Sequence, residues 1–359
     1  MKLLLSGYYG HRNLGDDLLL RIVLARVADR DGIREIGVTC NPSTGEYVRA
    51  WMPTVRLVDP AIAVHNAYRG FDRVLFGGGG TIFEYRAAVP WTHMVRKKLS
   101  VLRSYGRAHI RGTRFASVGL GIGPFGSERA RRVACYSLRY HDVIFVRDQK
   151  SANFARLVTR ADVRVAPDLS LAEYTSCMRV PRQTGKIRNV AIIARHYRYG
   201  ENSNGYLTEV MRLARHLSNT GCRVEWMSFQ PEYDSPIIAE LRKTGYAVWE
   251  WDPARMNFTD VYARIADAFA VITTRMHGIF IAGMLGVPVV GIGLHPKLEY
   301  AAELFPGYAT TVSAQPTFED LLQALSLVTR AGADVPRDAL MRSANHVEEM
   351  FETVLDWAM

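Results

Sequence analysis

The stretch Ala270-Val-Ile-Thr-Thr-Arg275-Met-His277-Gly278-Ile-Phe-Ile-Ala-Gly-Met-Leu-Gly286-Val-Pro288-Val-Val-Gly291 reads as strand, turn, helix and strand. A short apolar run ends in Arg-x-His, an apolar segment of helix length follows, and a second strand-like run closes the unit. This places Arg275 and His277 at the C-terminal end of a strand and the N-terminus of a helix. Open α/β sheets bind ligands at that edge, and helix N-termini favour anions there. An anion-binding arginine beside a titratable imidazole points to chemistry on a phosphorylated or carboxylated substrate.

Outward from this unit the same alternation recurs. Strands are expected at 189–194, 222–228, 247–250, 271–274 and 287–291, with helices at 205–219, 235–244 and 259–268. Val261, Ile265, Ala268 and Phe269 form a helical stripe. Two helix patterns follow Thr317, the last covering about 338–359. The first half alternates too. Strands are expected at 2–6, 35–39, 73–76, 114–118 and 142–146, and helices at 16–28 and 91–105. Between the halves, 177–188 reads as a linker.

The expected architecture is therefore α/β: two Rossmann-like domains with parallel sheets, residues 1–176 and 189–335, a C-terminal helix 336–359, and a ligand cleft between the domains.

The chain has 359 residues, of which 48% are hydrophobic. That supports a large core and argues against disorder. The net charge of +10 suits acidic substrates, nucleic acid or an anionic membrane, without choosing among them. Cys40, Cys135, Cys177 and Cys222 lie far apart, with no C-x-x-C spacing, and read as reduced thiols of a cytoplasmic protein. No signal-peptide core or spanning segment is apparent. The longest uncharged run, Gly278 to Leu294, contains five glycines and Pro288 and reads as helix plus strand.

Several loops are candidates for binding. Ser6-Gly7-Tyr8-Tyr9-Gly10-His11-Arg12-Asn13-Leu14-Gly15-Asp16-Asp17 follows a strand and opens a helix. It is neither G-x-G-x-x-G nor a P-loop. One reading is a βα loop capped by Asp16. The other is a glycine loop facing the cleft, with Gly7, Gly10 and Gly15 allowing a tight backbone near a ligand and Asn13, Asp16 or Asp17 available for substrate hydroxyls. Gly77-Gly78-Gly79-Gly80 also follows a strand, and reads either as a tight packing crossover or as close approach to a ligand. Gly119-x-Gly121-x-Gly123-Pro124 reads as a third glycine-rich strand end. Arg195, His196 and Arg198 follow the strand at 189–194 and are expected to share an edge with Arg275, His277 and Gly278.

The ordered set Gly7-Tyr-Tyr-Gly-x-x-Asn13-x-Gly15-Asp16, Gly77-Gly-Gly, Gly119-x-Gly121-x-Gly-Pro124, Val146-Arg-Asp148-x-x-Ser151, Pro167-Asp168, Arg195, Arg275-x-His277 and Gly286-Val-Pro-Val-Val-Gly291 resembles the polysaccharide pyruvyl transferase family. The likeness runs from residue 1 to about 300. It implies a fold similar to the GT-B glycosyltransferases and transfer of pyruvate from phosphoenolpyruvate to a sugar as a ketal. By carry-over, Arg195 and Arg275 would bind phosphoenolpyruvate and His277 would be the essential histidine. The residue between Arg275 and His277 is Met276, where the family usually has leucine, a swap of similar volume. The acceptor-binding residues have no motif to carry over.

The residues agree with this chemistry. Phosphoenolpyruvate carries a carboxylate and a phosphate, which suit paired arginines. Ketal formation moves protons at neutral pH, which suits imidazole. Phosphoenolpyruvate serves as co-substrate, and neither a bound cofactor nor a metal is expected.

Two other readings stand beside it: a nucleotide-sugar glycosyltransferase of the same architecture, and a non-catalytic sugar- or anion-binding relative. The segment from Trp91 to Arg114 has seven Lys or Arg and no acid. It reads as a solvated helix face or as a contact with anionic lipid at the inner face of the membrane, which would suit a lipid-linked acceptor. No nucleic-acid motif is present.

Overall fold

Leu3, Leu4 and Leu5 are all buried in β1 (Lys2–Ser6). A strand apolar on both faces belongs to a parallel sheet covered by helices on both sides. The computed structural model describes residues 1–28, 30–86, 88–182, 188–197, 205–330 and 335–359. They form two compact units. One comprises Met1–His11, Asp16–Ala172 and Ser343–Met359, the other Arg12–Gly15 and Glu173–Arg342.

The first unit contains β1, β2 (Glu35–Thr39), β3 (Arg56–Val58), β4 (Arg73–Phe76), β5 (Gly79–Glu84), β6 (Arg114–Phe125), β7 (His141–Val146) and β8 (Asp162–Val165). All pairings are parallel. The sheet order is β3-β2-β1-β4-β6-β7-β8, with β5 beside β6. The chain winds outward from β1 to β3, then reverses to β4. The point of reversal lies between β1 and β4, so the loops after Ser6 and Phe76 flank it.

The second unit repeats the plan with β9 (Asn189–Ile193), β10 (Arg223–Ser228), β11 (Val248–Glu250), β12 (Ala270–Thr273), β13 (Val289–Ile292) and β14 (Ala309–Val312). Its order is β11-β10-β9-β12-β13-β14, again entirely parallel. The reversal falls between β9 and β12. Their register pairs Thr273 with Ile193, so the residues just beyond each strand, Arg275 and Arg195, leave the sheet at the same level. Helices Tyr206–Asn219 and Phe318–Arg330 pack Val210, Leu213, Leu217, Leu321 and Val328 against Val190, Ile192 and Val290.

Four features depart from the expectations. The strand at 114–118 continues through all three glycines to Phe125, so Gly119-x-Gly121 lies inside β6 and is not a strand end. Part of the four-glycine loop is itself strand, since β5 begins at Gly79. The division between units falls at residue 172, and Tyr174–Met178 within and before the expected linker is helical; linker positions 183–187 lie outside the described residues. Helix Arg337–Ala358 begins in the second unit, and its residues from Ser343 onward belong to the first. There Val347, Met350, Phe351, Val354 and Leu355 are buried. Glu348 and Glu352 pair with Arg26 and Arg30, and the Trp357 indole donates to Asp142 at 3.1 Å.

Candidate active site

Arg275 is the residue before helix Met276–Met284, directly beyond β12. Its backbone N–H donates to Thr273 Oγ1 at 2.9 Å, and that hydroxyl donates to the Arg275 carbonyl at 3.1 Å. The turn is therefore fixed locally and the side chain enters the protein, where it is only 7% exposed. Nη2 donates to Asp234 Oδ2 at 2.6 Å and Nη1 to Gln230 Oε1 at 3.2 Å. Burial lowers the pKa of Arg275; the Asp234 carboxylate opposes that shift and the charge of Arg195 adds to it. An arginine remains cationic under such shifts.

Asp234 joins the two strand ends. Besides Arg275 it accepts from Ser228 Oγ at 3.0 Å and, through Oδ1, from the backbone N–H of His196 at 3.0 Å. It sits in helix Pro231–Lys243, directly after β10, and is 1% exposed. Arg195 is half-buried, with its guanidinium 5.4 Å from the Tyr233 ring and 5.7 Å from that of Tyr197. The Tyr206 hydroxyl donates to the Arg195 carbonyl at 2.6 Å, which fixes the turn after β9. Burial pushes that phenol up to about 12, so it stays protonated.

Three buried nitrogens of this cluster have no hydrogen-bond partner among the described residues: Nε of Arg275, Nε of Arg195 and Nδ1 of His196. Buried polar atoms are nearly always paired, so unpaired ones concentrated in one place mark where a polar ligand belongs.

His277 lies in the first turn of helix Met276–Met284, half-buried, 6.2 Å ring to ring from Phe280. A Cβ on Gly15 would lie 2.1 Å from His277 Nδ1. Gly15 is therefore required to admit the imidazole, a role different from close approach to a substrate. The neighbouring residues hold it there. Leu14 N–H donates to the Phe229 carbonyl at 2.9 Å, Asn13 Nδ2 to Gln230 Oε1 at 3.4 Å, and Gly15 N–H to Asn13 Oδ1 at 3.2 Å. Asn13 thus ties its loop to Gln230 and caps the helix start rather than presenting an open amide. Gly278 packs the helix onto β12, where a Cβ would meet Thr273 Oγ1 at 2.4 Å. Met276 is buried. Arg198 lies outside the described residues.

The other candidates belong to the first unit. Gly7 makes room for the Tyr9 ring, whose hydroxyl in turn occupies the space beside Gly77. Gly78 packs against Leu19 and Leu169, the crossover reading of that loop. Gly79 adopts φ +102°, and its missing Cβ faces Asp16 Oδ1 at 3.0 Å. Asp17 is fully buried and accepts from the Tyr47 hydroxyl. Gly121 clears space for the Arg147 guanidinium, which pairs with buried Asp168 at 3.5 Å. Asp148 caps the next helix through Ser151 N–H at 2.7 Å. These are packing and ion-pair roles.

Asp234 and Gln230 are the site residues that sequence reasoning missed. They lie more than forty positions from Arg275, and only the sheet order β10-β9-β12 brings the end of β10 next to that of β9 and near that of β12.

The two doubly wound parallel sheets, one with a buried cationic cluster and an imidazole at its point of reversal, give an α/β fold of the GT-B type. The family described as polysaccharide pyruvyl transferase matches residues 13–296, and the chain belongs to that family. Similar solved structures include UDP-N-acetylglucosamine 2-epimerase from Rickettsia bellii (TM-score 0.62, 12% identity, 99% of this chain and 96% of that one). The UDP-GlcNAc 2-epimerase of Methanocaldococcus jannaschii is similar too (TM-score 0.61, 11%, 99% of each chain). So is the Neisseria meningitidis enzyme bound to UDP-GlcNAc (TM-score 0.57, 14%, 99% and 100%). At such identities the likeness concerns fold alone. A comparison with curated protein sequences finds no match.

Proposed function

We propose that this protein transfers a pyruvyl group from phosphoenolpyruvate to two hydroxyls of a sugar, forming a ketal and releasing phosphate. Family membership supports the reaction class. The observation that carries the donor is the cluster of unpaired buried nitrogens on Arg275, Arg195 and His196. The donor has two anionic groups, and the two guanidinium cations match them in charge, each with its Nε free to donate.

In this reading His277 serves proton transfer. A proton added to the methylene carbon makes it a methyl group and leaves cationic character at C2. One sugar hydroxyl attacks C2 and loses its proton. The C2–O bond to phosphate then breaks, and the second hydroxyl attacks, losing its own proton. Of the two hydroxyl protons, one balances the methyl group and the other leaves on phosphate. Arg195 and Arg275 hold the carboxylate and phosphate through both steps and stabilise the departing phosphate. The acceptor is a sugar of a polysaccharide or of a lipid-linked oligosaccharide.

The similarity to a Neisseria enzyme bound to UDP-GlcNAc favours one competing reading, use of a nucleotide-sugar. Incubation with phosphoenolpyruvate and a panel of sugar acceptors separates the two. Acceptor-dependent phosphate release and an acid-labile ketal support pyruvyl transfer. Turnover of a nucleotide-sugar with no phosphate release from phosphoenolpyruvate overturns it.

A further inference from the structure

Within the first unit, helix Trp91–Val101, the π-helical turn Leu102–Gly106 and helix Arg107–Ile110 run on without a break. Val101, Ser104, Gly106 and Ala108 are buried, and Met94 and Tyr105 pack onto the body of the unit. Four other large apolar residues stay exposed. Trp91 is 66% exposed, Leu99 43%, Leu102 52% and Ile110 86%. At about 100° per residue, Trp91, Leu99 and Leu102 fall within roughly a quarter of the helix circumference. Water is a poor solvent for such a stripe, and exposed apolar patches rimmed by polar groups mark contact sites.

Cations form the rim. Arg96, Lys97, Arg103 and Arg107 are exposed, and among the described residues none has a carboxylate partner. Lys98 and Arg139 both lie over the Tyr136 ring, 5.4 and 4.5 Å from its centroid. No Asp or Glu occurs from 91 to 114.

We infer that this face docks on an anionic lipid bilayer, with Trp91, Leu99, Leu102 and Ile110 entering the headgroup boundary and the arginines and lysines meeting lipid phosphates. A bilayer satisfies both halves of the surface together: its interface accepts apolar side chains and its headgroups supply diffuse negative charge. A polyanion such as nucleic acid would match the cations and leave the leucines and Ile110 in water. The inference does not depend on the reaction proposed above.

Flotation of the full chain with vesicles tests it. Binding is expected to phosphatidylcholine vesicles containing one quarter phosphatidylglycerol, not to phosphatidylcholine alone, and to weaken from 0.1 to 0.5 M NaCl. Each lost cation should weaken binding about fivefold, so Arg96→Gln/Arg103→Gln/Arg107→Gln should lose roughly 100-fold. Leu99→Ser/Leu102→Ser/Ile110→Ser, checked for unchanged circular dichroism, should also bind less. No flotation with the anionic vesicles at 0.1 M NaCl overturns the inference. So does equal binding by the serine variant, or tighter binding of a single-stranded oligonucleotide than of the vesicles.

Discussion

Arg275 is held by its neighbours before any substrate arrives. Its ion pair with Asp234 is buried on both sides, and removing one partner of such a pair leaves an uncompensated charge. Asp234→Asn should therefore lower stability by about 3 kcal/mol and weaken phosphoenolpyruvate binding, because the fork is no longer aimed. An unchanged melting temperature with unchanged donor affinity would remove Asp234 from the site. The same reasoning makes Arg275→Ala alone a poor probe, since it strands the Asp234 carboxylate; the double change Arg275→Ala/Asp234→Asn is the cleaner one. His277→Gln should leave donor binding intact and slow turnover by about two to four orders of magnitude. Residual activity that merely tracks the folded fraction would make His277 a packing residue.

His141 carries a pH dependence of a different kind. It lies against Phe76 and Phe115, with ring centroids at 5.2 and 6.0 Å, and burial lowers its pKa to about 4. The unfolded chain takes up that proton near pH 6.5. Between 6.5 and 4 the unfolded state binds more protons, so stability falls as pH falls through that window, by about 3 kcal/mol in full. Thermal melts of the wild type and His141→Leu should show a shallower acid slope in the variant; parallel slopes would contradict the assignment.

At the scale of elements, what the sequence discloses depends on how apolar each run is. β1, β2 and β4 fall where their buried residues predict. β12, with Val271 and Ile272 at its centre, does so within one residue. β3, β8 and β14 escape notice because Arg56–Val58, Asp162–Val165 and Ala309–Val312 are short and mix polar with apolar residues. β5 is hidden by the glycines that open it. The site divides the same way. Arg275, His277 and Arg195 are legible because each follows an apolar strand. Asp234 is not, because it contributes through sheet order and no local pattern announces it. Gly15 is the sharpest element-level test. Gly15→Ala places a methyl group against the His277 ring. It should displace the imidazole and lower turnover, even though helix propensity alone would stabilise the variant by about 1 kcal/mol. Unchanged turnover in Gly15→Ala would show that His277 needs no such room.

For the whole molecule, the two units repeat one plan, and each sheet reverses where candidate residues gather. The closing helix completes the first unit rather than the second. Ending the chain at Arg342 would strip Val347, Met350, Phe351, Val354 and Leu355 from that unit. At about 1.5–3 kcal/mol per buried side chain the loss rivals the whole stability of a domain. Amide exchange should then rise throughout β1, β2 and β4 while Val190–Ile193 in β9 stays protected; uniform protection in both sheets would contradict this. No helix among the described residues is long and apolar enough to cross a membrane.

On the function proposed above, the reversal point of the second sheet binds phosphoenolpyruvate. Calorimetric titration of phosphoenolpyruvate into the wild type, Arg195→Ala and Arg275→Ala/Asp234→Asn tests it without knowledge of the acceptor. Binding by the wild type is expected, with a loss of about 2–4 kcal/mol, roughly 30- to 1,000-fold in affinity, in each variant with its fold retained. Equal affinity in all three proteins would contradict it.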